Sequence, residues 1–306
     1  MTASGSDGAR RVPWTAYACL GASMAVVGSY VGLSKVLVAV FPVFLLAWLR
    51  FGISAVAMTS WLRAERGSAP LTARDQRLLF VESFFGNFLF SICMLFGVAW
   101  SSALAAGVIM GALPAVVAVL SRVVLGERIA PRTAAGIACA VAGIVLVSLE
   151  RHAGQGGGTL WGNALLFGAV CCEATYVVIG KLLAGRIGAK RISALINLWG
   201  FALVTPLGLW QATAFDFASV HAASWTLLVG YSIAASMLTV WLWMTGLRHV
   251  PASSAGAYTV LLPMSAAAMG LVFLGERFSA GLAFAFALAL AGILLATWPV
   301  RSPPLP

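Results

Sequence analysis

The sequence predicts an all-α integral membrane protein, with ten transmembrane helices arranged as two inverted five-helix repeats. Three observations predict it: an apolar, charge-poor composition, ten hydrophobic runs of spanning length, and a set of short motifs that recurs at a fixed offset.

Of the 306 residues, 61% are hydrophobic and only 9% charged, against roughly 25% charged in an ordinary soluble domain. The mean hydropathy is +0.98. A soluble fold of this length could not hide that much apolar surface, so the solvent is lipid. The net charge of +10 comes from 19 Lys and Arg against 9 Asp and Glu. Those basic residues sit in short links between apolar runs. That is the signature of cytoplasmic loops and not of a nucleic-acid surface. The five cysteines, Cys19, Cys93, Cys139, Cys171 and Cys172, lie inside apolar runs without C-x-x-C spacing. They read as small buried side chains, with no metal or cofactor implied.

The ten runs cover about 14–34, 42–62, 77–99, 102–124, 132–149, 160–183, 191–211, 224–247, 251–273 and 280–298. Each is near the ~20 residues that a helix needs to cross the hydrocarbon core. The first run lacks a small-residue cleavage site and reads as a span, not a removed signal peptide. Orientation follows from loop charge. One side receives Arg10, Arg11, Arg63, Arg66, Arg74, Arg77, Arg122, Arg128, Arg132, Lys181, Arg186, Lys190, Arg191, Arg248 and Arg301, which makes 15. The other receives Lys35, Arg151 and Arg277, which makes 3, and Arg50 lies within a span. This bias puts both termini in the cytoplasm of a cell whose inner membrane the chain crosses repeatedly.

Shifted by 149, the halves align. Ala106-Gly107 falls on Ala255-Gly256, Pro114 on Pro263, Leu125-Gly126-Glu127-Arg128 on Leu274-Gly275-Glu276-Arg277, and Ala142-Gly143-Ile144 on Ala291-Gly292-Ile293. Upstream the shift becomes 146, where Ser29-Tyr30-Val31 matches Thr175-Tyr176-Val177 and Lys35 matches Lys181. The repeats run 1–150 and 151–306, joined by a glycine-rich link that includes Gly154, Gly156, Gly157 and Gly158. Five spans per repeat, an odd number, insert the halves in opposite senses, as in secondary transporters.

The proline followed by LGER, present twice, resembles the drug/metabolite transporter superfamily in its ten-span EamA type. The stretch Phe41-Pro42 through Trp48-Leu49-Arg50-Phe51 is similar to that family's second-span motif. The resemblance covers nearly the whole chain. It implies alternating access and, commonly, export of amino acids or related metabolites, with the aromatic amino-acid exporters as the nearest functional guess. The rival substrates are cationic drugs and other metabolites. An intramembrane enzyme is a remote alternative, because His152, His221 and His249 all lie in links and no H-E-x-x-H or G-x-S-x-G occurs. No Walker A sequence is present either. Coupling by proton exchange and facilitated diffusion both remain open.

Ionisable groups inside spans carry the site reading, because each is costly there. Glu173 lies about 18 Å from the external end of its run and Arg50 about 12 Å into its own. Glu173 therefore has two readings: a cavity group meeting a substrate ammonium or a proton, and a structural partner of Arg50 in an ion pair. Glu82, about 7.5 Å from the cytoplasmic end, reads as an interfacial group that reaches water. Ser83, Asn87 and Ser91 share a face at i, i+4 and i+8, and Ser232 and Ser236 are the first pair's counterparts. Tyr30 and Tyr176 are paired across the repeat. These stripes suit either a central cavity or small-residue packing. Pro114 and Pro263 each deprive the carbonyl four residues earlier, Met110 and Thr259, of its helical donor, and their repeated placement favours a hinge. Trp100 and Trp243 read as cavity-mouth or interface-belt residues, and Tyr258 as a stacking group. The GxxxG pairs Gly28/Gly32 and Gly107/Gly111 read as close helix packing, which leaves monomer and homodimer both open. The partners expected are thus a small-molecule substrate and the lipid bilayer.

Overall fold

The computed structural model describes residues 14–63, 70–125, 131–150, 159–183, 187–247, 258, 261–275 and 279–297. Helix occupies each of the ten expected runs. They are α1 (Trp14–Val38), α2 (Val43–Ala57), α3 (Ala73–Ala99), α4 (Ala103–Met110 and Leu113–Leu125) and α5 (Pro131–Glu150) in the first half. The second half holds α6 (Leu160–Leu183), α7 (Ala189–Ala212), α8 (222–247), α9 (Leu261–Val272) and α10 (Ala280–Thr297). Among the described residues five stretches are long and apolar enough to cross a membrane: Trp14–Val38, Ala73–Ala99, Ala103–Leu120, Ala189–Ala212 and Ala222–Trp243. Both LGER segments beyond Leu125 and Gly275, the Gly154–Gly158 link, His152, His249 and Thr259 lie outside the described residues.

Local chemistry sets the helix ends. Pro42 forbids helix at the residue before it and opens α2 as its N-cap. Thr72 and Asp75 form a reciprocal capping box at the start of α3. Ser102 accepts from the Ala105 amide to cap α4 at 3.0 Å. The end of α3 is capped from another helix. Lys35 of α1 donates to the carbonyls of Val98 (2.6 Å), Ala99 (3.3 Å) and Ser101, so its charge sits where the helix dipole is negative.

The packing obeys the repeat. Helices α2 and α7, α4 and α9, and α5 and α10 each pack against their own repeat mates. Helix α1 packs on α8 and α9, and its mate α6 packs on α3 and α4, which is the same relation with the halves exchanged. The α1–α9 contact is close enough to require glycine. A Cβ added at Gly28 would overlap Ser265 Oγ and the Leu262 carbonyl, and one at Gly32 would overlap Met269. The Gly28/Gly32 face is thus used inside the molecule, as the small-residue spacing predicts.

Two runs differ from straight α-helices. Helix α3 carries a π segment at Phe84–Leu89, and α8 carries one at Ala234–Leu238. The 149 shift superimposes them to within one residue. Helix α4 breaks at Gly111–Ala112, just ahead of Pro114, where the proline leaves the Met110 carbonyl without its helical donor. Pro263 is buried in the first turn of α9, and a Cβ at Gly107 of α4 would lie 3.2 Å from its carbonyl oxygen. The helices that carry Pro114 and Pro263 therefore meet at the interface between halves.

Candidate functional site

The centre of the bundle is a polar and aromatic cluster drawn from α1, α2, α3 and α8. Arg50, in the middle of α2, is 5% exposed. Its Nη2 donates to Ser91 Oγ of α3 at 2.6 Å, and Ser91 in turn donates to the Asn87 carbonyl. Its guanidinium lies 4.2 Å from the Phe51 ring centroid and 5.7 Å from that of Tyr30. Tyr30 stacks on Tyr231 of α8 with centroids 4.9 Å apart. Ser34 gives its proton to the Tyr30 carbonyl at 2.9 Å, so the Tyr231 hydroxyl is the donor in its 2.9 Å bond to Ser34. Within this cluster two buried donors have no partner among the described residues: Arg50 Nε and the Tyr30 hydroxyl.

The expected Arg50–Glu173 ion pair is not formed among the described residues. Serine 91 occupies the guanidinium instead, and Glu173 lies half-buried on α6. Depth along each helix put the two groups at similar levels, but depth does not say which way a helix face points.

The serine stripes lie inside the bundle, and Ser83, Ser91 and Ser232 are hydrogen-bonded to backbone. Ser83, with no accessible surface, donates to the Ile196 carbonyl of α7 at 2.6 Å. Ser232, equally buried, donates to the Leu228 carbonyl and receives Ser54 of α2 at its own carbonyl. The Ser236 carbonyl accepts from Ser193 at 3.2 Å, while Ser236 Oγ has no partner. Asn87 is half-buried within the π segment of α3. The π segment also explains why the stripe does not act as one face. It shifts the hydrogen-bond register between Ser83, which serves α7, and Ser91, which serves α2.

The remaining expected residues distribute as follows. Met110 is buried at the break in α4. Trp100 is 48% exposed at the end of α3 with its ring against Phe96, and its carbonyl accepts from the Thr159 amide at 2.8 Å. Trp243 and Tyr258 pack with Tyr17 on Ala16 and Leu20, and Tyr17 stacks on Tyr258 at 5.8 Å. Tyr176 is half-buried on α6 against Gly86, where an added Cβ would come within 2.9 Å of Tyr176 Cβ. A groove of about 630 Å³, lined by Leu33, Thr226, Leu227, Gly230, Tyr231 and Ala234 among others, opens beside the Tyr30–Tyr231 stack.

Sequence reading missed Tyr231 and misplaced Glu82. Tyr231 completes the stack on Tyr30, and the 149 shift that aligned Ser83 with Ser232 already places it on Glu82. Glu82 does not reach water as an interfacial group would. It has no accessible surface, and neither carboxylate oxygen has a partner among the described residues.

Comparison with known proteins gives this architecture its family. The EamA-like transporter family matches twice, over residues 14–149 and 160–298. The chain is 35% identical over 291 residues to "Uncharacterized transporter YetK" of Bacillus subtilis (strain 168), covering 94% of this chain and 88% of that one. It is 22% identical over 264 residues to "Uncharacterized transporter YyaM" of the same organism, covering 84% and 85%. A solved structure named only "Crystal structure of protein" shares the fold at a TM-score of 0.62 and 21% identity, covering 93% of this chain and 97% of the other. With a family match in each half and relatives named as transporters, the chain belongs to the EamA-like transporter family and is a membrane transporter, not an enzyme.

Proposed function

We propose that the chain exports amphipathic amino acids, aromatic ones favoured, across the inner membrane by alternating access about the centre that its two halves share. The observation that carries this reading is the pair of unpartnered buried donors, Arg50 Nε and the Tyr30 hydroxyl, set beside an aromatic stack. A carboxylate supplies acceptors for both donors, and a charge-assisted bond to arginine is among the strongest a site can offer. An aromatic side chain adds to the Tyr30–Tyr231 stack at a preferred spacing. The breaks at Gly111–Ala112 and in the π segments supply joints about which the halves rearrange.

A substrate panel in proteoliposomes, run with and without a pH gradient, tests the reading. Phenylalanine, tyrosine, tryptophan and leucine are expected to cross, with the aromatic three fastest. Movement of sugars or quaternary cations, but of no amino acid, would reject it.

The orientation belongs to the same proposal. With the native cysteines removed, a cysteine at Gly157 should react with an impermeant maleimide added outside intact cells. Labelling from the cytoplasmic side alone would reverse the topology.

A further inference from the structure

The two halves present related but chemically different groups at equivalent places. On one side of the molecule Tyr30 of α1 meets Tyr231 of α8. The repeat carries Tyr30 onto Tyr176 of α6, and Tyr231 onto Glu82 of α3. Helices α6 and α3 pack as α1 and α8 do, Tyr176 lies against Gly86 of α3, and Glu173 sits one turn before Tyr176 on α6. A carboxyl thus stands where symmetry would put a phenol. The next substitution matters as much. Tyr231 hands its proton to Ser34, but the repeat mate of Ser34 is Gly180, which brings no hydroxyl. Glu82 is therefore fully buried with both oxygens unpartnered among the described residues.

An ionised carboxylate in that position needs a positive partner. Helix α6 offers Glu173, Tyr176 and, one turn beyond, Lys181, whose side chain lies outside the description. Helix α7 offers Ser193, Asn197, Lys190 and Arg191. Ser193 and Asn197 donate to the Ser236 and Phe51 carbonyls, and Lys190 lies over the Trp61 ring. Arg191 Nε has no partner and forms no ion pair with Glu82. On α3 itself Arg74, Asp75 and Arg77 lie in the first turns, towards the helix start. No group of three or more His, Cys, Asp or Glu able to hold a metal ion occurs among the described residues.

We infer that Glu82, with Tyr176 and Glu173 across the α3–α6 contact, is a proton site, separate from the Arg50 centre, whose loading and release couple substrate export to proton entry. The proton binds a Glu82 oxygen from one aqueous side, and the same O–H bond breaks to water on the other side after the halves rearrange. The π segment that begins two residues after Glu82, and the Gly86–Tyr176 contact within it, place a joint beside the site. The coupling part of this inference rests on the export reading above. The site itself does not.

The experiment separates the two. Infrared difference spectra of the purified full chain in lipid, recorded between acid and alkaline pH without any substrate, should show the C=O stretch of a carboxyl in apolar surroundings. Glu82→Gln should remove that band, and Glu173→Gln should shift it. A wild-type protein without such a band, or a band unchanged in Glu82→Gln, would overturn the site whatever the substrate is. In proteoliposomes loaded for phenylalanine transport, a pH gradient should raise wild-type accumulation several-fold over the no-gradient level. In Glu82→Gln the two levels should coincide, and Glu82→Asp, which restores a carboxyl, should recover part of the difference. Full gradient-driven accumulation in Glu82→Gln would overturn the coupling role. A missing gradient effect in the wild type would overturn it too, while leaving the infrared result intact.

Discussion

Arg50→Gln should abolish discrimination for the carboxylate while leaving a foldable protein. The guanidinium is buried, held by Ser91 and stacked on Phe51, and its buried Nε–H is unclaimed among the described residues. Truncating one partner of a buried, hydrogen-bonded charge pair costs about 2–5 kcal/mol of binding, or roughly 30- to several thousand-fold in Kd at 1.4 kcal/mol per decade. Wild-type protein titrated calorimetrically should bind phenylalanine well and its methyl ester poorly. In Arg50→Gln the two should bind alike and weakly. Arg50→Lys should recover only part of the preference, because an ammonium cannot keep Ser91 and still present a second, in-plane donor. Retained acid-over-ester preference in Arg50→Gln would remove Arg50 from the binding site. Because the expected Arg50–Glu173 pair is absent, combining Arg50→Gln with Glu173→Gln should recover no stability beyond the sum of the single effects, as expected for residues without a shared contact.

Gly28→Ala should be the most destabilising methyl that can be added to α1. The new Cβ would overlap Ser265 Oγ and the Leu262 carbonyl and come within 2.8 Å of the Ala266 amide nitrogen. Two of those three atoms are backbone of α9, which cannot turn aside as a side chain can. Overpacking of this kind costs about 1–3 kcal/mol, and the helix-propensity gain of about 1 kcal/mol for Gly to Ala offsets only part of it. Two other glycines provide the scale. At Gly21 the nearest atoms are flexible side-chain carbons at 3.3 and 3.7 Å, and at Gly230 nothing lies within 4 Å. Thermal unfolding in detergent should therefore rank Gly28→Ala well below wild type, Gly21→Ala slightly below it, and Gly230→Ala at or above it. Equal midpoints for all three would mean that the α1–α9 contact is looser than described.

Helix positions were legible in the sequence because membrane spans announce themselves by composition alone. The third run was expected from 77, but the Thr72–Asp75 capping box starts α3 four residues earlier, at Ala73. The repeat was legible for the same reason: prolines and glycines matching at an offset of 149, and tyrosines at 146, need no structure to be seen. What the sequence withheld was azimuth and neighbour. Glu82 lies only a few turns from the start of α3, and linear depth made it look wet. Its burial follows from how α6 and α7 close over that face. Ser91 and Glu173 both lie at a plausible depth for Arg50, and only packing decides between them. The π segments were invisible because an irregular hydrogen-bond register leaves no mark on hydrophobicity.

Those π segments also bear on the molecule's history. A π segment amounts to one residue inserted into an α-helix without lengthening it, and it survives only where something is gained from the lost regularity. Here the same insertion sits in both halves at matching positions. The economical account is a single event in an ancestral chain of five helices, before the gene doubled and its copies were fused through the glycine-rich link. Such an ancestor would have inserted in both orientations and assembled as an antiparallel pair with two identical grooves. The carboxyl at residue 82 and the phenol at residue 231 would then record what fusion made available: two sites free to diverge because they no longer shared one codon.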